Sequence, residues 1–193
     1  MNIFKIIEIS SVVSGLLYVV LIMRQNIWCW LFGIVSSALY ILSCIHAKLY
    51  LEGGLNFYYV AVGFYGWFLW LQKNRGTGDK TFKVSEWRVF LHITNILVCI
   101  LLSIVLGKVE QYYTDSPRPF FDAAITVFSF SATILEARKI LSAWIYWFVI
   151  NGASIVLMID RGMNGYAILS AVTTALCVKG YFDWRKGYWA QGI

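Results

Sequence analysis

The chain has 193 residues, of which 60% are hydrophobic and 13% are charged, and its mean hydropathy is +0.68. A composition this apolar exceeds what a soluble core needs, and it predicts a polytopic helical membrane protein. The formal net charge of +6 lies in segments that flank the apolar runs, so we assign it to orientation in the bilayer rather than to nucleic-acid binding.

Seven apolar segments are long enough to cross a bilayer, which takes about 20 residues each. The predicted spans, in chain order, are 4–23, 27–45, 51–72, 87–107, 120–137, 141–159 and 164–184. We do not interpret the first as a cleavable signal, because it lacks a small-residue cleavage site and the second span follows at once. The longest polar stretch, residues 73–86, is predicted to be a cytoplasmic loop.

The sequence repeats itself without a gap at an offset of 114 residues. The matching pairs are Glu8 and Asp122, Arg24 and Arg138, Trp30 and Trp144, Gly66 and Gly180, Phe68 and Phe182, and Trp70 and Trp184. The repeat relates the first three spans to the last three, and a single linker span gives both triplets the same direction through the membrane. We therefore predict a first three-helix bundle at 1–72, a cytoplasmic loop and linker helix at 73–119, and a second bundle at 120–193.

The loop charges predict the orientation of the chain. With seven spans, ten Lys and Arg residues fall on one side of the membrane and five on the other, and Lys179 lies inside a span. The positive-inside rule places the more basic side in the cytoplasm. The C-terminus is therefore expected in the cytoplasm and the N-terminus outside.

The sixth span carries the strongest candidate for a binding site. Trp144, Trp147 and Asn151 follow one another at i, i+3 and i+7, so they share one face of a helix. Indole faces hold aromatic or cationic rings, and a carboxamide both donates and accepts hydrogen bonds. The alternative is that the tryptophans belong to the aromatic belt at the membrane interface. Asn151 lies deeper, where an unpartnered amide is costly.

The corresponding face of the second span carries Trp30, Gly33 and Ser37. A symmetric scaffold with an asymmetric lining suits an asymmetric ligand, whereas small residues at these positions also permit close helix packing. Tyr40 and Trp67 are further candidates that either line a pocket or fill the bundle.

Polar side chains on the third and fifth spans complete the candidate site. Asn56 lies early in the third span, and Glu52 lies at the outer end of that span. Thr126, Ser129 and Thr133 share one face of the fifth span at i, i+3 and i+7. Hydroxyls on a membrane helix often bond to their own backbone, which is the alternative to a ligand contact.

The sequence contains none of the usual catalytic or metal-binding patterns. It has no phosphate-cradling glycine loop, and His46 and His92 stand apart from any nucleophile or metal-ligand spacing. Four cysteines lie within apolar segments, and we interpret them as buried thiols: Cys29, Cys44, Cys99 and Cys177. We therefore expect no enzyme, no metal site and no cofactor.

Ion coupling usually requires a carboxylate deep inside a span. The acidic residues considered for that role lie near span ends: Glu8, Asp122, Asp160 and Asp183. Passage of a substrate without an energy source is the simpler interpretation.

Three segments of the chain resemble the PnuC family of bacterial vitamin transporters. They are NIWCWLFGI at 26–34, KLYLEGGLNFYYVAVGFYGWFLW at 48–70, and WIYWFVIN at 144–151. The last matches the family's W-x-x-W-x-x-x-N signature in full, and the similarity covers nearly the whole chain. The resemblance implies a fold like that of the SWEET sugar transporters, with the ligand between two three-helix bundles. It makes Trp144, Trp147 and Asn151 binding-site residues.

The resemblance also implies facilitated diffusion of a nicotinamide riboside-like vitamin precursor through a bacterial inner membrane, with trapping by a separate kinase. Many family members for nicotinamide riboside have Gln where this chain has Asn56, and some relatives are thought to carry thiamine or riboflavin. The choice among these three substrates stays open, as does a homo-oligomer. A hypothesis of a different class is a non-transporting membrane scaffold or receptor.

Overall fold

The computed structural model of the protein describes residues 3–46, 50–73, 83–114, 116–160, 162 and 164–190. This part of the chain is almost entirely helical. It contains seven helices: α1 (Ile3–Met23), α2 (Cys29–His46), α3 (Tyr50–Lys73), α4 (Val89–Tyr113), α5 (Pro119–Ala137), α6 (Ala143–Asp160) and α7 (Asn164–Trp189). The prediction of an all-α fold with seven helices in this order is confirmed.

The largest differences from the predicted spans are at the ends of α4 and α7, which continue beyond the apolar segments. α4 runs on to Tyr113, where Thr114 closes the helix with its backbone N–H and its hydroxyl both bonded to the carbonyl of Glu110, at 2.9 and 2.7 Å. Hydropathy marks where a chain leaves the hydrocarbon, whereas backbone hydrogen bonding decides where a helix ends. Helices that project from the membrane are therefore underestimated in length.

Among the described helices, α4, α5 and α6 are long and apolar enough to cross a membrane by length and composition. α4 is the most apolar of the three: it has 25 residues, and its mean hydropathy over an 18-residue window is 2.6. At 1.5 Å per residue it is about 37 Å long, which exceeds the thickness of a typical hydrocarbon core. Large apolar side chains are exposed along its whole length, from Val89 to Val109, as expected of a helix that faces lipid.

The chain divides into two compact units. The first comprises the described residues within Met1–Val84, Ala137–Lys139 and Phe182–Ile193, and the second those within Ser85–Glu136 and Ile140–Tyr181. In the first unit, α1 packs against α2 and α2 packs against α3. In the second, Ser85 and Ile140 form an isolated parallel bridge beside the turn between α5 and α6. The division into bundles at 1–72, 73–119 and 120–193 stays a prediction.

The repeat reappears in the turns that follow α1 and α5. Among the described residues, Gln25 and Lys139 are the non-glycine residues with positive φ, at 54° and 52°, and they are 114 positions apart. The residue after each donates its backbone N–H to a carbonyl five residues earlier, at 3.0 and 2.9 Å. This hydrogen bond is typical of a Schellman cap, which usually has glycine at the left-handed position. Both copies of the repeat therefore end this helix in the same way.

The side chains of these two turn residues contact each other within the first unit. Lys139 Nζ donates to Gln25 Oε1 at 3.0 Å and lies 4.2 Å from the centre of the Trp70 ring. Lys139 is only 4% exposed. Burial lowers the pKa of its ammonium to about 8, and the neighbouring Cys29 opposes this shift. The cation over the indole adds an electrostatic attraction to the buried hydrogen bond.

Trp70 and Trp184, which match across the repeat, bind the ends of α5 and α1 respectively. Trp70 Nε1 donates to the carbonyl of Ala137 at 2.9 Å, and Trp184 Nε1 donates to the carbonyl of Ile22 at 3.0 Å. Carbonyls in the last turn of a helix lack an intrahelical i+4 partner. The carbonyl of Ile22 also accepts the backbone N–H of Gln25 at 2.9 Å, so the indole of Trp184 is a second donor to it. Each tryptophan thus ties down the end of a helix from the other copy of the repeat.

The repeated tryptophans at the start of α2 and α6 pack against repeated glycines. A Cβ built on Gly66 would lie 2.5 Å from the Trp30 ring, and one built on Gly180 would lie 2.5 Å from the Trp144 ring. Both indoles are almost fully buried. Any larger residue at either glycine would displace the indole, which explains why both residues of this contact occur twice.

Candidate functional site

The structure separates the predicted stripe on α6 into two parts. Trp144 is 2% exposed and packs against Gly180. Trp147 and Asn151 are half-buried and belong to a set of hydrogen bonds that joins α5, α6 and α7. Partial exposure leaves Trp147 and Asn151 accessible, whereas the position of Trp144 favours a packing role.

We call this set of side chains the α6 polar cluster. It consists of Glu136 on α5, Trp147 and Asn151 on α6, and Thr173 and Cys177 on α7. Trp147 Nε1 donates to Glu136 Oε2 at 3.1 Å, and Thr173 Oγ1 donates to Asn151 Oδ1 at 3.2 Å. Asn151 Nδ2 donates to the backbone carbonyl of Trp147 at 2.9 Å and lies 3.6 Å from Cys177 Sγ. The cluster fixes the orientation of both the indole and the carboxamide.

Two members of the cluster, Glu136 and Thr173, were not among the residues predicted from the sequence, and Glu136 is the charged type of the two. Its side chain is only 3% exposed in the last turn of α5. The signal was present, because Glu136 continues the stripe of Thr126, Ser129 and Thr133 by one further step to i+10. The position of the carboxyl beside the indole N–H, however, could not be read from that stripe.

The hydroxyl stripe on α5 bonds partly to its own helix, as the alternative interpretation held. Thr133 Oγ1 donates to the carbonyl of Ser129 at 2.7 Å. Ser129 is buried and Thr126 is half-buried. Whether Thr126 and Ser129 contact a ligand stays a prediction.

The α6 polar cluster has no equivalent in the first copy of the repeat. The five corresponding positions are occupied by Ile22, Gly33, Ser37, Tyr59 and Gly63. A Cβ built on Gly33 would lie 2.9 Å from the Tyr18 ring, so this glycine permits close helix packing. Positions that support the fold are repeated, whereas the positions of the cluster are specialised in the second copy.

The other predicted site residues lie in the first unit. Trp30 is buried between Tyr18 and Trp70, with ring centroids 6.1 and 5.5 Å apart. Trp67 is half-buried and makes an edge contact with Trp28. The remaining positions are Ser37, which is buried, Tyr40 and Asn56, which are half-buried, and Glu52, whose side chain lies outside the described part of the chain. Ligand contacts by these residues stay predictions.

A second polar network lies in the second unit and includes His92, which sequence analysis left without a role. His92 Nδ1 is 3.2 Å from Tyr146 Oη, and its Nε2 is 3.3 Å from Ser142 Oγ. Asn95 Nδ2 donates to Tyr146 Oη at 3.3 Å, and Asn95 Oδ1 accepts from Ser131 Oγ at 2.8 Å. This network connects α4, α5 and α6, and we assign it to the attachment of the linker helix.

A groove of about 330 Å³ lies between α4, α5 and α6. Its walls are almost entirely apolar and include Phe121, Phe128, Val149 and Ile150. Val149 is 63% exposed, as expected of a surface that faces lipid. A polar vitamin would find too few hydrogen-bonding groups there.

Within the described ranges, all four cysteines are buried and none forms a disulfide. The same ranges contain no group of three or more His, Cys, Asp and Glu side chains that could hold a metal ion.

A family model described as nicotinamide mononucleotide transporter matches residues 5–186. The chain is similar to the nicotinamide riboside transporter PnuC of Escherichia coli (strain K12), with 23% identity over 202 residues that cover 92% of this chain and 84% of the relative. PnuC of Neisseria mucosa is 28% identical over 186 residues, which cover 91% of this chain and 70% of the relative.

A riboflavin/roseoflavin transporter, RibM of Streptomyces davaonensis, is 24% identical over 183 residues, which cover 89% of this chain and 81% of the relative. Among solved structures, the crystal structure of the vitamin B3 transporter PnuC matches with a TM-score of 0.76 and 25% identity. That match covers 94% of this chain and 81% of the solved one.

Proposed function

We propose, because this chain belongs to the nicotinamide mononucleotide transporter family, that it carries nicotinamide riboside across a bacterial inner membrane. The observation that carries the proposal is that two PnuC relatives and a solved PnuC structure each match more than nine tenths of the chain. Transport would be facilitated diffusion, and a separate kinase would trap the product. The match to RibM makes riboflavin the second candidate substrate.

The α6 polar cluster supplies the groups that such a substrate needs. The accessible indole of Trp147 would stack on the pyridine ring, and its hydrogen bond to Glu136 would hold the ring plane in place. Asn151, whose oxygen accepts from Thr173, would bond to the polar groups of the ligand. Because these side chains are already held by their neighbours, little side-chain entropy would be lost on binding.

We test the site with Trp147→Ala and Asn151→Ala. Trp147→Ala should lower the initial rate of nicotinamide riboside uptake about tenfold or more, since stacking of a base on an aromatic ring is worth about 1–3 kcal/mol. Asn151→Ala should lower it about threefold to tenfold, since a hydrogen bond is worth about 0.5–1.5 kcal/mol. Phe148→Ala is the matched control, because Phe148 is the next residue on α6 and is 46% exposed. Uptake of radiolabelled vitamin is normalised to the amount of protein in the membrane. Normal uptake by both site variants would rule out the cluster as the binding site.

The same assay with nicotinamide riboside, thiamine and riboflavin identifies the substrate. Uptake of nicotinamide riboside supports the proposal, and uptake of riboflavin alone would assign the chain to the second candidate. Uptake of thiamine alone would contradict both. If none of the three vitamins enters cells or stabilises the purified protein, the scaffold or receptor hypothesis replaces transport.

A further inference from the structure

The α6 polar cluster contains a buried carboxyl group that stacking and amide recognition do not require. Glu136 is 3% exposed, and an ionised carboxylate at such a site has lost most of its hydration. The loss costs several kcal/mol unless positive or hydrogen-bonding groups compensate for it. A hydrophobic residue would be the simpler choice for the scaffold, and the first copy of the repeat has Ile22 at this position.

The position of the Glu136 carboxylate relative to Trp147 indicates its role in ligand binding. Glu136 Oε2 accepts from the indole Nε1 at 3.1 Å, so the carboxylate lies at the edge of the ring. A ligand ring stacked on the indole would lie within a few ångströms of that charge. The face of an indole attracts cations, and a negative charge at its edge strengthens that attraction. Both groups therefore favour a ring that carries positive charge.

We infer that Glu136 is a specificity-determining residue that selects ligands whose aromatic ring is cationic. This inference rests on the proposed function and deepens it. The pyridine nitrogen of nicotinamide riboside is bonded to the ribose, so its ring has a permanent positive charge at every pH. The flavin ring system of riboflavin is neutral near pH 7. The carboxylate thus distinguishes a pyridinium nucleoside from a neutral ring of similar flatness.

The absence of the cluster from the first copy of the repeat supports this assignment. The buried indole hydrogen bonds and the Trp–Gly contacts occur in both copies, whereas Glu136 and Trp147 occur only in the second, against Ile22 and Gly33 in the first. The scaffold therefore forms without them in one half of the molecule.

The test compares nicotinamide riboside with benzamide riboside, a neutral analogue that keeps the aromatic ring, the carboxamide and the ribose. Dissociation constants are measured by calorimetry on the full chain in detergent. The wild type should bind nicotinamide riboside at least about tenfold more tightly than benzamide riboside. Glu136→Gln can still accept the indole hydrogen bond but lacks the charge, and it should bring the two constants to within about threefold. Glu136→Asp keeps the charge and should keep the preference.

The outcomes separate this inference from the proposed function. A wild type that binds both nucleosides equally well overturns the inference without any variant, even if Glu136→Gln fails to fold. A preference that persists in Glu136→Gln also overturns it and leaves the proposed substrate unaffected. A wild type that binds neither nucleoside refutes the proposed substrate, and the inference falls with it.

Discussion

At the scale of single residues, the most unusual environment is that of Lys139. Its ammonium is almost fully buried, bonded to Gln25 and placed over the ring of Trp70. The hydrogen bond and the indole favour the charged form, whereas burial favours the neutral form. Burial has the larger effect, because the pKa of Lys139 falls from 10.5 to about 8. Lys139 is therefore charged at neutral pH at a cost to the folded state.

This cost predicts a pH dependence of stability. Because the folded-state pKa of about 8 lies below the unfolded value of 10.5, the unfolded chain binds more protons between these values. The free energy of unfolding should therefore rise with pH across this window, by up to about 3 kcal/mol, and should be insensitive to this group below it. The measurement is the Tm of the purified protein from pH 7 to pH 10.

Lys139→Met is the control for this prediction, because other groups also titrate in the same window. The variant loses the hydrogen bond to Gln25, so only the slope of Tm against pH is compared, not its level. The wild type should show the steeper rise. Parallel curves for the two proteins would contradict the assigned pKa.

At the scale of helices, the ends of α1 and α5 are held from outside. Each has a left-handed residue after it, a conformation that costs about 1–2 kcal/mol for a residue other than glycine. Each also receives a buried indole N–H, from Trp184 and Trp70 respectively. The left-handed residue and the indole hydrogen bond occur in both copies, which indicates that they stabilise the repeated three-helix motif.

Replacing Trp184 with Phe tests the indole hydrogen bond. The change keeps an aromatic ring but removes one of the two donors to the carbonyl of Ile22, which still accepts the backbone N–H of Gln25 at 2.9 Å. It should lower the free energy of unfolding by about 0.5–1.5 kcal/mol. Trp189→Phe is the matched control on the same helix, because Trp189 is 64% exposed. Thermal unfolding in detergent measures both. Equal Tm values for the two variants would show that the hydrogen bond contributes nothing.

At the scale of the whole molecule, the linker helix makes a parallel repeat possible. α4 adds one crossing between two sets of three, so that equivalent helices can run in the same direction through the membrane. Its polar contacts are concentrated on one side, at His92 and Asn95, while its apolar side chains face outward. The repeat does not state which side of the membrane each terminus faces, and the loop charges predict that orientation.

The excess of basic residues on one side predicts a cytoplasmic C-terminus. Alkaline phosphatase fused after Ile193 should be inactive, whereas green fluorescent protein fused there should fluoresce. Phosphatase fused after Ser116, between α4 and α5, should be active, because this turn is predicted to lie outside. The opposite pattern at both positions would contradict the predicted orientation.

The sequence by itself determined the number, order and approximate bounds of the seven helices, because about 20 apolar residues are needed to cross a bilayer and each run is visible in the chain. The gapless offset of 114 also identified Trp30, Gly66, Trp144 and Gly180 as equivalent positions. Helical periodicity then placed Trp147 and Asn151 on one face of α6.

Only the tertiary structure decided what these side chains contact. Periodicity states which residues share a face of one helix, but it does not state which residues of another helix lie opposite that face. Trp144 was therefore grouped with Trp147, although the structure packs Trp144 against Gly180 and bonds Trp147 to Glu136. For the same reason the contact between Gln25 and Lys139 was invisible in the sequence. Their partners are set by the packing of helices that are distant in the chain.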